Sequence, residues 1–252
     1  MRLLLSIVTC GLSTSVLARS LTVSTPDWPP FYIHEEKEPR NKGLAWDILS
    51  KCTSQINKSV RFDMYPIRRM FKYMEDGSLD VNIMSYKPER LSALDYGKEL
   101  VFENTYSVWV RSSLPHPVRT LDDLKNLNVA LLIGLHPSDE YEAWLAKRLS
   151  TTSDKETLIV NEQEQILKML ASNRTDATIA SGPEFRWRGS RLGLSAMIRD
   201  TPLIIKKQAY FFVLAKKSPF HNNENLLPLM DQCVKDMKKS GFWAALKNYY
   251  QL

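Results

Sequence analysis

Apolar and polar positions along this chain switch between a period of two and a helical period, and the switches mark out its elements. Leu21 to Thr25 is β-branched and alternating, which predicts a strand. It stops at Pro26-Asp27-Trp28-Pro29-Pro30-Phe31, a rigid loop that either presents the Trp28 ring or lays it over the edge of the core. From Gly43 to Ile56, Leu44, Ile48, Leu49 and Ile56 fall on one helical face. Val60 to Tyr65 reads as a strand, and Pro66 opens a helix over Ile67 to Glu75. The Asp76-Gly77 turn leads into a strand from Leu79 to Met84. Pro88 then suits a helical first turn, and Thr105 to Arg111 predicts another strand.

A second cycle follows. Thr120 with Asp123 is a cap and its partner. Val129 to Ile133 is a buried strand ending at Gly134, Pro137 to Leu149 a helix, and Thr157 to Val160 a strand. Asn161 with Glu164 is expected to cap a helix running to Ser172. Ala177 to Ser181 and Tyr210 to Ala215 are strands, and Asn223 to Lys239 and Gly241 to Tyr250 are helices. Strands alternating with helices predict an α/β fold. Both cycles contain turn, Asp, strand, Ser: Asp80 with Ser85, and Asp176 with Ser181. That predicts two similar lobes whose strand ends face each other across a cleft. The final helix pair is expected to return to the first lobe.

Composition narrows the class. The 252 residues are 44% apolar and 10% aromatic, an ordinary globular balance. Met1-Arg2, the apolar run from Leu3 to Leu17 and Val16-Leu17-Ala18 read as an export leader cut after Ala18. Cys10 would leave with it. Cys52 and Cys233 remain in an oxidising compartment, either as one disulfide closing a long loop or as two buried thiols. The net charge of +6 is spread out. Its densest cluster, Glu184 to Arg191, reads in an exported protein as a solvated helix face or part of an anion site, not a nucleic-acid surface.

The candidate chemistry lies at the strand ends. Ser85 can donate one hydrogen bond, and Arg90, five residues on, can donate two in parallel to a carboxylate, phosphate or sulfate. Arg68 and Arg69 stand in a helical first turn against the dipole, which suits either reaching an anion or covering apolar surface. His34, His116, His136 and His221 have no metal-ligand spacing, and no GxSxG, Walker loop, GxGxxG or CxxC is present. No metal and no cofactor is expected.

Taken in order, Trp28-x-Pro30-Phe31, Gly43-Leu-Ala-Trp-Asp47, Gly77-x-x-Asp80, Pro88-Glu89-Arg90, Leu121-x-x-Leu124-Lys125, Val129 to Gly134 and Gly241-Phe-Trp resemble the bacterial extracellular solute-binding proteins of family 3. The resemblance implies a two-lobe, periplasmic-binding-protein-like fold of type II: two mixed sheets with flanking helices, joined by two hinge strands. Lobe 1 is then 19–110 plus 214–252, lobe 2 is 111–213, and the crossovers fall near Val108–Ser112 and Phe212–Lys216. It implies that Trp28 stacks on a ligand and that Ser85 and Arg90 hold its carboxylate. Arg69 adds to that group, Tyr86 covers the apolar part, and Ser181 or Glu184 makes contact from the other lobe. Pro66 with Arg69 matches a divergent branch.

Two departures stand out. Ser181 occupies the place where amino-acid receptors carry an Asp for the ammonium group, and Gly134 is followed by Leu135 and His136 rather than Ser or Thr. The expected protein is a periplasmic monomer that binds a small carboxylate-bearing solute, with an ABC permease or a membrane sensor as partner. The alternative is a dehydratase of the cyclohexadienyl type with Glu184 as general acid. The bland reading of Glu184 is a surface carboxylate paired with Arg186 or Arg188.

Overall fold

The computed structural model describes residues 19–34, 41–151, 154–222 and 225–252. The expected leader of residues 1–18 and the expected helix start at Asn223 lie outside the described residues. The described chain is α/β, a mixed sheet with helices on its faces.

Strands β1 (Leu21–Ser24) and β2 (Val60–Asp63) pair in parallel, with Leu21 opposite Val60, and helix α1 (Leu44–Gln55) makes the crossover. Gly43 precedes α1 at φ 119°, and a Cβ there would sit 2.3 Å from the Phe31 carbonyl oxygen, so only glycine fits. The face of α1 carrying Leu44, Ile48, Leu49 and Cys52 is fully buried. Helix α2 (Ile67–Asp76) ends on Gly77 in the left-handed region, and β3 (Val81–Ser85) and β4 (Leu94–Tyr96) follow.

Two long strands then organise everything else. β5 (Phe102–Arg111) and β9 (Ile198–Ala215) run antiparallel, pairing from Phe102 opposite Tyr210 to Arg111 opposite Ile198. β3 and β4 join the C-terminal part of β9. The rest of the sheet lies on the other side of β5: β8 (Ala177–Ser181), β6 (Val129–Leu132) and the edge strand β7 (Thr157–Val160). Helices α3 (Asp139–Ser150), α4 (Gln163–Ala171) and α5 (Gly182–Arg191) connect and cover these strands. The expected strand at Tyr210–Ala215 is only the end of β9. Its earlier part carries Arg199, Asp200, Pro202, Lys206 and Lys207, which break the apolar alternation that would have revealed it.

Packing divides along the β5–β9 ribbon. Phe102, Tyr210 and Phe212 belong to one apolar cluster with Leu21, Phe31, Ile48 and Val81. Val108 and Val110 belong to another with Val129, Leu131, Tyr141 and Ile179. The ladder shifts register between Tyr106 and Trp109, at the point where one cluster gives way to the other. The last helices, α6 (Leu226–Lys239) and α7 (Phe242–Tyr249), follow, and α6 places Met230 and Val234 in the first cluster, against the residues of β1 and α1. Cys52 on α1 and Cys233 on α6 are bonded, with Cα atoms 5.6 Å apart, which closes the alternative of two free thiols.

The paired Asp residues have a common structural task at the opposite ends of their strands from the serines. Asp80, fully buried, accepts from the Thr22 amide and hydroxyl and from Ser218 Oγ. Asp176 accepts from Arg111 Nε at 2.8 Å and from the Asn128 amide at 2.9 Å. The Thr120–Asp123 capping box forms as expected. The Asn161 cap does not: Glu162 is the N-cap of α4 and makes no side-chain cap bond, while Ser138 caps α3 through the Tyr141 amide.

Candidate functional site

The first wall of the site is built by the loops after β1 and β3. The Trp28 amide bonds the Tyr32 carbonyl, and the Trp28 carbonyl accepts from the Phe31 and Tyr32 amides. This fixes a tight turn. The Trp28 ring, half-buried, lies 4.4 Å from Phe31 and 5.2 Å from Tyr210. Behind them Phe31, Phe102 and Tyr210 form a stacked column. β3 ends at Ser85, and the 3-10 turn Pro88–Arg90 brings Arg90 back towards it. Arg90 Nη1 donates to the Ser85 carbonyl at 3.1 Å and to its Oγ at 3.3 Å, and the guanidinium rests over the Phe71 ring at 4.2 Å. The Tyr96 phenol donates to the same carbonyl. Burial raises the Tyr96 phenol's pKa, and the Arg90 charge opposes the rise. With the Ser85 oxygen accepting from Arg90, its own O–H remains a donor.

The floor is a row of polar side chains along the two long strands. Ser85 is paired with Tyr210, Tyr210 with Phe102, and Tyr106 with Ser181, so each pair shares a sheet face. Asn104 lies between Phe102 and Tyr106 on that face by alternation. Ser181 Oγ donates to Asn104 Oδ1 at 2.9 Å. The Tyr106 phenol sits against the Tyr210 phenol and the Asn104 side chain, and burial raises the pKa of both tyrosines. Asn104, Tyr106 and Tyr210 were not among the residues singled out from the sequence. For the β5 pair the sequence shows only an unbroken polar run, Glu103 to Ser107, leading into the buried apolar Val108 to Val110, which does not say which face is covered.

The second wall is the start of α5. Glu184 is only 8% exposed and accepts from Arg188 Nε at 3.0 Å. The reading of Glu184 as a surface carboxylate is therefore corrected in its burial, although Arg188 is its partner. Arg186 instead faces Asp200 at 3.7 Å and lies over the Trp109 ring. Burial pushes the Glu184 carboxyl up to about 7, against the pull of Arg188. Burial also acts to lower the pKa of the Arg188 guanidinium, but Glu184 and Asp27 outweigh this and raise it. Its Nη2 reaches Asp27 Oδ2 at 3.1 Å, in the loop beside Trp28, and Nη1 lies 3.7 Å from Glu164. Asp27 and Arg188 thus join the two walls directly.

Of the residues expected from the sequence, Trp28, Ser85 and Arg90 line the first wall, while Ser181 and Glu184 line the floor and second wall. Tyr86 is 45% exposed, edge-on to Tyr96 at 5.2 Å. Arg69 is exposed, its guanidinium 5.9 Å from the Tyr65 ring centroid. Among the described residues no group of three or more His, Cys, Asp or Glu could hold a metal ion, and no helix is long and apolar enough to cross a membrane.

Solved structures with this fold cover nearly the whole chain. A histidine kinase sensor domain with similarity to periplasmic binding proteins aligns with a TM-score of 0.70 and 18% identity, over 92% of this chain and 96% of that one. The GluR0 ligand-binding core from Nostoc punctiforme, in complex with L-glutamate, aligns at 0.68 and 19%, over 91% and 98%. The ancestral amino-acid-binding protein AncCDT-1, a precursor of cyclohexadienyl dehydratase, aligns at 0.69 and 18%, over 92% and 94%. No curated protein matches the chain. The model of the bacterial extracellular solute-binding proteins, family 3, matches residues 21–252, and the chain belongs to that family.

Proposed function

We propose that this protein is an exported receptor that closes on a small carboxylate-bearing solute, for uptake or for sensing. The observation that carries the reading is the pinned Ser85–Arg90 pair beside the Trp28 ring, facing a wall whose only buried acid, Glu184, is already held by Arg188. A carboxylate finds a guanidinium and a hydroxyl there. An ammonium group would have to compete with Arg188 for Glu184, so an organic acid ranks ahead of an amino acid.

Lobe 1 (19–110 plus 214–252) and lobe 2 (111–213) move as units about the β5–β9 ribbon, and the register shifts after Tyr106 are the natural place for it to flex. The Asp27–Arg188 contact then belongs to the closed form. Cleavage of a leader near Ala18 delivers the chain to the periplasm as a monomer. Its partner is an ABC permease or a membrane sensor. A solved structure of the same fold, the substrate binding protein of an amino acid ABC transporter, supports the first partner, and the kinase sensor-domain neighbour supports the second.

A specific observation favours a second reading. Glu184, buried with its carboxyl pushed up to about 7, has the proton affinity of a general acid at neutral pH, as elimination from a cyclohexadienyl acid requires. Turnover of such an acid by the purified protein, lost in Glu184→Gln, would replace the receptor reading. For the receptor, a thermal-shift screen of organic acids and amino acids is expected to find stabilising acids whose effect disappears in Arg90→Ala. Full stabilisation in that variant would remove the clamp from the site.

A further inference from the structure

Asn104 is fully buried on β5, and its side chain is only half accounted for by the fold. Its Oδ1 accepts from Ser181 Oγ, whereas Nδ2, with two N–H groups, has no partner among the described residues. Buried amide nitrogens are almost always paired, because an unmade bond costs the whole desolvation of the group. The hydroxyl oxygens around it can accept as well as donate, yet none of them takes an Nδ2 N–H as the side chains stand. Ser85, Tyr210, Tyr106 and Ser181 each bring an O–H to the same sheet face. The nearby carboxylates, Glu184 and Asp27, are both engaged by Arg188.

Resting on the reading of Ser85 and Arg90 as a carboxylate clamp, we propose that Asn104 is a specificity-determining residue whose amide donates to a second oxygen acceptor on the ligand, so that the preferred solute is an oxo acid or a dicarboxylic acid rather than a simple fatty acid or an amino acid. Ser181 takes part by holding the amide with its oxygen turned away from the ligand. A Ser in place of an acid at that strand end therefore changes what the cleft recognises, from a cation to an oxygen. Because β5 links the two lobes, a ligand held by Asn104 also bears on the strand that must move when the cleft closes.

The test is calorimetry on the mature chain with propionate, alanine, pyruvate, succinate and 2-oxoglutarate, for the unaltered protein, Asn104→Asp and Arg90→Ala. Asn104→Asp keeps the acceptor for Ser181 and removes the amide donors at nearly constant shape; the negative charge it adds repels propionate and pyruvate alike, so the margin between those two isolates the donors. At least one oxo or dicarboxylic acid is expected to bind about tenfold or more tighter than propionate and alanine, and Asn104→Asp is expected to erase that margin. A margin that survives in Asn104→Asp overturns the assignment of Asn104 alone, as does an unaltered protein that prefers alanine or makes no distinction. If no acid binds, or if Arg90→Ala binds them unchanged, the clamp fails and this inference fails with it. Should Asn104→Asp not fold, the side-chain amide resonances of Asn104 in the unaltered protein provide the readout. They are expected to shift on addition of the tightest-binding acid, and resonances that stay in place overturn the proposal.

Discussion

Glu184→Gln isolates the electrostatics of the second wall. The carboxyl is 8% exposed, and burial lifts its pKa from 4.5 to about 7 despite Arg188 at 3.0 Å. Below pH 4.5 both the folded and unfolded chains carry the proton, so the group contributes no pH dependence. Between 4.5 and about 7 the unfolded chain has released it while the folded chain keeps it. The folded state then binds more protons, and stability falls as pH rises, by about 1.4 kcal/mol per pH unit. Above about 7 both states are ionised, and the accumulated loss levels off at about 3 kcal/mol. Glutamine has the same shape and does not titrate, so the difference between unaltered and Gln proteins cancels every other titrating group. Urea unfolding at half-unit steps from pH 4.5 to 8 measures it. The stability of the unaltered protein relative to Glu184→Gln is expected to decline through this range and flatten near neutrality. A difference that is constant with pH, or that grows in favour of the unaltered protein as pH rises, would show that Arg188 and not burial governs this carboxyl.

Two further outcomes follow from the links between distant parts of the chain. Cys52 and Cys233 are 181 residues apart, so replacing both by Ser is expected to lower stability by about 2–5 kcal/mol in urea unfolding, and an unchanged midpoint would count against the bond. Asp27→Asn removes a partly exposed ion pair between the walls. With Asp27 42% exposed, the contact is worth about 0.5–1 kcal/mol, so affinity for a bound acid is expected to fall about two- to fivefold by calorimetry. Equal or tighter binding would show that the pair does not favour the closed form.

Much of the fold was legible in the residues because burial imposes periodicity. β1, β2, β3, β6, β7 and β8 fall where alternation or short apolar runs put them. The first part of β9 was not legible, because most of its polar residues face water and copy the composition of a loop. The Ser85–Arg90 pair could be read because five residues and a proline turn bring it together locally. Asn104, Tyr106 and Tyr210 could not, since a polar residue on one face of a strand ordinarily means solvent. Only the meeting of β5, β8 and β9 turns that face into a floor. The burial of Glu184 was hidden for the same reason. In a run of charged helix residues nothing local shows that Arg188 is shared with Asp27, 161 residues away.

The central claim is that Arg90, held by Ser85, receives the carboxylate of a small acid in the cleft. Calorimetric titration of the tightest-binding acid into the unaltered protein and into Arg90→Ala tests it most directly. A lost charge-assisted bond costs about 1.5–3 kcal/mol, so a drop in affinity of about tenfold or more is expected while the folded stability of the two proteins stays close. Undiminished affinity in Arg90→Ala would contradict the claim and move the binding site away from the end of β3.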